Sequence, residues 1–423
     1  MRLPRLAGPN RIYHGYLVAF VAFLSTGLSV GMTQYAFGEF ATPLRDEFGW
    51  TNAQLYRSLT LSLVSGLVAP LAGRLIDRIG IRPVMFGSLL LIATGFALRP
   101  LISELWHWYL FSAIVYAGFP GATIMPAGKL VGLWFPVTRG RVMGAVTAGN
   151  NFGGLTMAPL AAVLIAFISW QGAYITFAIT MAVLAVVAWL IVREDIESVD
   201  AEMRRVGRFD GNVTARAAAR AGITMRAAMR TPQFWLITLA LVCATFTYQG
   251  VLTQLRQHFE ESGLAPAVAT AGLSVIAGMG IGSKLAFGRA SESITARYSM
   301  AISVGLQAIG VSLMIVPGNA AVMWLGIIVF GLGFGGLGAL IVLVVQEAFG
   351  LREFGSIIGA IQVAQIASQA GGPELAGRTR DATGSFDLAF MVVIALFLTG
   401  IAALLLARPL KWEGVDESPA PAG

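Results

Sequence analysis

Long apolar stretches separated by short polar connections set the rhythm of this chain. Twelve runs of about 18 to 25 mostly apolar residues begin near Gly15, Asn52, Pro83, Trp106, Arg141, Gly172, Pro232, Val268, Ser299, Ala320, Gly355 and Leu388. At about 1.5 Å of rise per residue, each is long enough as a helix to cross a hydrocarbon layer of roughly 30 Å. Backbone polar groups in lipid must be satisfied within the element, and runs of this length do so as helices rather than as the shorter strands of a barrel. The pattern therefore predicts an all-α integral membrane protein with twelve transmembrane helices. Asn52 stands where a cap for the second run is expected.

One connection breaks the rhythm. Residues 193–231 are polar, of mixed charge, with alanine and arginine at helical spacing, which predicts a partly helical linker lying along the membrane surface. The expected organisation is an N-terminal six-helix half (1–192), this cytoplasmic linker (193–231), a C-terminal six-helix half (232–410) and a cytoplasmic tail (411–423).

Composition agrees. The 423 residues are 56% hydrophobic and 12% charged, with a mean hydropathy of +0.74, far too apolar for a soluble globule. With the N-terminus inside, 21 Lys and Arg fall on the cytoplasmic side, while six (Arg45, Arg57, Arg99, Arg256, Arg378, Arg380) fall outside. Both termini are therefore expected in the cytoplasm and the protein in the cytoplasmic (inner) membrane. The net charge of +7 reflects this topology and contact with anionic lipid, not nucleic acid. The first run is too long for a signal peptide and is taken as an uncleaved first helix. The one cysteine, Cys243, allows no disulfide within the chain, and the three histidines are too scattered for a metal site. No GxxxxGK[ST] loop appears, so no nucleotide, cofactor or metal is expected.

The polar residues inside the apolar runs carry the candidate chemistry. Lys284 lies in the eighth run, and the chain has only three lysines. A bare ammonium in lipid is unfavourable, so an intramembrane lysine is either a functional group or a side chain reaching back to the headgroups. Gln34, Tyr116, Asn150, Tyr248, Gln362 and Gln365 are the neutral candidates for lining a substrate path, the glutamines being equally suited to bonds between helices. Lys129 is read as structural or as a lipid contact. No Asp or Glu falls in the middle of a run, which disfavours an exporter of cations.

After the second run comes GRLIDRIGIRP, with Gly73, Leu75, Asp77, Arg78, Gly80 and Arg82 at the spacing G-x-L-x-D-R-x-G-x-R. The device recurs 215 residues later, with Gly288-Arg289 for Gly73-Arg74, Glu292 for Asp77 and Arg297 for Arg82, while the equivalents of Arg78 and Gly80 are lost. Two pseudo-symmetric six-helix halves follow. The motif is similar to the hallmark of the major facilitator superfamily, and the resemblance implies the major facilitator fold. Gly73, Asp77, Arg78, Gly80, Arg82, Gly288 and Arg289 then read as a conformational latch.

Several segments resemble the monocarboxylate transporters and the bacterial oxalate/formate antiporter group. They are Gly15-Tyr16, EFGW (47–50), WFPVTRGRVMG, QEAFG and GGPELAGRTRDATGSF. The resemblance implies that Lys284, followed four residues later by Gly288, takes the place of an arginine that binds the substrate carboxylate. It also places Gly280 where the animal proteins have an aspartate implicated in proton coupling, and Gln34 where they have a lysine. The expected activity is alternating-access transport of a small monocarboxylate or related organic anion by a monomer, with protons or a second anion as coupling partner. An exporter of neutral or cationic compounds, or a non-transporting sensor on the same scaffold, is the alternative.

Overall fold

The computed structural model describes residues 13–205, 215–261, 266–315, 320–383 and 386–408. Twelve helical segments stand where the apolar runs are. In the first half they are α1 (His14–Phe48), α2 (Asn52–Arg78), α3 (Ile81–Leu101), α4 (Leu105–Trp134), α5 (Arg139–Phe167) and α6 (Trp170–Ile191). In the second half α7 runs from Pro232–Phe246 through a π-helical turn, Thr247–Val251, into Leu252–Glu261. It is followed by α8 (Pro266–Ile294), α9 (Ala296–Met314), α10 (Ala320–Phe334 and Leu337–Phe349), α11 (Phe354–Thr383) and α12 (Asp387–Leu406).

Among the described residues, nine helices are long and apolar enough to cross a membrane by themselves. The other three are α7, α9 and α11. The apolar part of α7 is the shorter Pro232–Phe246, while α9 and α11 carry polar groups that find partners inside the bundle. Ser303 of α9 donates to the Gly333 carbonyl at 2.7 Å, Gln307 accepts from Thr247 at 2.7 Å, and Ser368 of α11 meets Thr245 at 2.8 Å. Uncharged side chains that bond across helices are tolerated at membrane depth because no polar atom is left facing lipid.

The cap of α2 is Thr51 rather than Asn52. Its hydroxyl accepts from Gln54 N at 3.2 Å, while the Gln54 side chain accepts from Thr51 N at 2.8 Å, a reciprocal capping box.

The described chain begins at Tyr13 and ends at Arg408 on the same face of the bundle, called here the terminal face. Contacts between the halves gather there, where α2 lies against α11 and α5 against α8, with α4 meeting α10 and α11. Small residues let the backbones touch: Gly73 packs on the Gly355 carbonyl, and Gly140 and Gly288 pack on each other. Toward the opposite face the outer portions of α1 and α7 form no comparable interface among the described residues. The halves are thus joined at the terminal face and part toward the other.

The linker is helical over Ile196–Arg205, Ala215–Arg220 and Met225–Met229. Between the last two pieces Gly222 forms an antiparallel bridge with Gly350, in the turn between α10 and α11, and Ile223 N donates to the Phe349 carbonyl at 3.1 Å.

Candidate functional site

The repeated motif builds a matched pair of joints on the terminal face. In the first, Asp77 at the end of α2 reaches the start of α11 and accepts from Gly355 N at 3.2 Å and Ser356 N at 2.7 Å. In the second, Glu292 near the end of α8 reaches the start of α5, accepting from Arg141 N at 2.8 Å and Arg141 Nε at 2.6 Å. Glu292 follows Asp77, and Ser356 follows Arg141, by the same 215 residues. In both joints a carboxylate meets the unpaired N–H groups and positive end of a helix of the other half.

Lys129 completes the first joint, its ammonium lying 2.7 Å from the Asp77 carboxylate with both side chains largely buried. Of the structural and lipid-contact readings of Lys129, the geometry is the structural one, with the motif's own acid as partner. Gln346 of α10 adds another bond between halves, donating to the Gly128 carbonyl at 2.7 Å.

The remaining motif residues shape the turn behind each joint. Gly80 has φ 101° and ψ 169°, a conformation open to glycine and strained for other residues. A side chain there would collide with Glu194, whose carboxylate accepts from Ile81 N at the start of α3. At the equivalent place Thr295 keeps a similar path, φ 75° and ψ 154°. Its neighbour Ala296 N donates to Glu347, which comes from α10. Arg82 donates to the Trp189 carbonyl and Arg297 to the Ala407 carbonyl, each pinning a half's third helix to its sixth.

Further into the bundle α5 and α8 stay in register. Gly144 packs on the Lys284 carbonyl, and about two turns deeper Asn151 faces α8. The Lys284 ammonium donates to Asn151 Oδ1, and Asn151 Nδ2 donates to the Ala277 carbonyl at 3.0 Å. Lys284 is directed into the seam between halves, and no carboxylate lies within 4.0 Å of it among the described residues.

The other sequence-derived candidates do not converge on this amine. Asn150 does not bond Lys284, and its Oδ1 is buried with no hydrogen-bond partner. Tyr116 is buried in the first half beside Phe119, its carbonyl accepting from Ser65 at 2.7 Å. Gln34 is exposed and belongs to a π turn of α1, Gly31–Tyr35. Tyr248 falls in the π turn of α7, and its side chain lies outside the described residues. Gln365 is buried; Gln362 is half-buried, its carbonyl turned toward Gly66 of α2. An apolar recess lined by Gly278, Gly282, Ala286, Leu306 and Leu332 offers no charged group and is set apart from the seam that holds Lys284.

The comparisons with known proteins agree with this architecture. The sequence profile of the Major Facilitator Superfamily matches residues 16–373. The chain is 23% identical over 309 residues to the oxalate:formate antiporter of Oxalobacter formigenes, covering 72% of this chain and 69% of that protein. It is 24% identical over 395 residues to monocarboxylate transporter 13 of Rattus norvegicus, covering 92% and 88%. It is 28% identical over 407 residues to the 2-nitroimidazole transporter of Escherichia coli (strain K12), covering 93% and 94%. The fold is similar to that of the proton:xylose symporter XylE, with a TM-score of 0.75 over 93% of this chain and 96% of XylE at 14% identity. The duplicated joints, the twelve helices in two halves and the profile match over most of the chain have one reading: this protein belongs to the major facilitator superfamily and is a membrane transporter rather than an enzyme.

Proposed function

We propose that the protein carries small organic anions, monocarboxylates foremost, by alternating access of a site between its halves. The observation that carries this is Lys284, a cation on a spanning helix whose ammonium donates to a neutral amide, at the position where the resemblance to monocarboxylate transporters expects the carboxylate anchor. An ammonium at that depth attracts an anion strongly because little water competes for it. Gln34, Gln362 and Gln365 are offered as hydrogen-bonding groups for the rest of the substrate, and Tyr116, Asn150 and Tyr248 as further contacts. The paired joints would be the latch that holds the terminal face shut.

On the distribution of Lys and Arg, the terminal face is assigned to the cytoplasm, so the described state opens outward from the cytoplasmic membrane. Coupling would be to a proton or to a counter-moving anion, by a monomer. The test is uptake into proteoliposomes from a panel of formate, acetate, lactate and oxalate. The wild type is expected to carry at least one of them, and Lys284→Ala to lose that transport. Retained anion transport by Lys284→Ala would defeat the reading.

A second reading has a specific support: the relative named as a 2-nitroimidazole transporter is 28% identical and aligned over 93% of this chain. A carrier of neutral nitroaromatic compounds would transport 2-nitroimidazole with little dependence on Lys284. The same Lys284→Ala vesicles distinguish the two.

A further inference from the structure

The bond between Lys284 and Asn151 joins the two halves. Together with the Asn151–Ala277 bond it lies well inside the α5–α8 seam, about 15 Å along α5 from the Arg141–Glu292 joint. The Asn151 amide is oriented at both ends. Its nitrogen donates to the Ala277 carbonyl, which leaves the oxygen facing the Lys284 ammonium two turns further along the same helix. A side chain of the first half thus spans two turns of a helix of the second. Gly280 lies between them, and a methyl group there would sit in ordinary van der Waals contact with the amide nitrogen, at 3.6 Å.

We infer that Asn151 is a stand-in acceptor: it holds the Lys284 ammonium while the site is empty and gives it up to the carboxylate of the incoming anion. This rests on the reading of Lys284 as the anion anchor. The bond to the amide is charge-assisted by the ammonium alone, whereas a carboxylate adds the attraction of a second, opposite full charge, so an anion arriving from the open face wins the ammonium. The exchange removes a bond between α5 and α8 on the closed side at the moment the site fills. Occupancy therefore loosens the seam, and an empty carrier stays locked. The consequence is a preference for exchange over net uptake, because the return of an empty site requires the amide bond to break with nothing replacing it.

The experiment uses the full-length protein in proteoliposomes and the best-carried anion of the formate, acetate, lactate and oxalate panel. Uptake into vesicles preloaded with that anion is compared with uptake into empty vesicles. Wild type is expected to exchange at least tenfold faster than it accumulates. Asn151→Ala should bring that ratio down at least fivefold and lower the half-saturating concentration severalfold, since the anion no longer competes with the amide. Asn151→Asp, which supplies a permanent carboxylate, should abolish both modes. Asn151→Ser is read in the same way should the alanine variant fail to fold by thermal melting. An unchanged ratio in Asn151→Ala or Asn151→Ser, with Lys284→Ala inactive, overturns this inference and leaves the anion carrier standing. Transport that survives in Lys284→Ala, or a wild type that carries none of the panel, overturns both.

Discussion

Asp77 and Glu292 occupy equivalent places in the two halves and reach equivalent partners, yet their surroundings differ. The Asp77–Lys129 pair is largely buried, with side-chain exposures of 6% and 13%, and the acid also holds two backbone N–H groups of α11. Across the bundle Glu292 is 12% exposed, but its partner Arg141 is 52% exposed and well placed to be solvated. One joint holds a desolvated charge pair, so that removing the acid strands a buried cation; in the other a largely buried acid meets a half-exposed arginine. The halves are alike in geometry and unlike in the energy each joint stores.

The largest effect that would break this contrast is Asp77→Ala. It leaves Lys129 buried without its carboxylate and should weaken the closed terminal face by about 3–5 kcal/mol. A cysteine placed at Ser356 reports it, since Cys243 is buried and leaves the background quiet. Labelling by a membrane-impermeant thiol reagent on the terminal face should rise sharply. Next comes Gly80→Ala, where the strained backbone and the collision with Glu194 together cost about 2–3 kcal/mol, read as a lower thermal midpoint in detergent. Glu292→Ala should cost less, about 1–2 kcal/mol, and the wild-type joint should weaken with added salt far more than the Asp77 joint does. The smallest is a gain: Thr295→Gly relieves a positive φ and should stabilise the second half by about 1 kcal/mol after the extra freedom of glycine in the unfolded chain is counted. Equal losses from Asp77→Ala and Glu292→Ala would erase the contrast; a wider gap would sharpen it.

Much of this geometry was written in the sequence as spacing. The twelve helices followed from the apolar runs, and the second joint lay at a fixed offset from the first although two of the motif's residues had changed. Thr295 keeps the backbone path where the glycine is lost, and the carboxylate that caps the next helix there, Glu347, comes from α10, whereas in the first half Glu194 comes from the linker just after α6. The site was less legible. Asn150 and Asn151 are adjacent, and choosing between them needs helical phase. Gly140, Gly144 and Asn151 fall on one stripe at spacings of four and seven, whereas Asn150 is turned about 100° away. That stripe becomes informative once α8 is known to be the partner, through Gly288 on Gly140 and Lys284 on Gly144. The π turns of α1 and α7, nearly equivalent in position, had no signature in the pattern of apolar residues, since one additional residue per turn leaves a run apolar.

Between its charged joints, the seam at the terminal face brings main chain against main chain at two places, Gly73 on Gly355 and Gly140 on Gly288. A contact between peptide backbones has no rotamers to freeze when it forms and none to release when it parts, so little side-chain entropy opposes either event. At these two places the shape of the contact is fixed by rigid helices, so its geometry is reproducible, and the strength of the seam is left to the charged joints on either side.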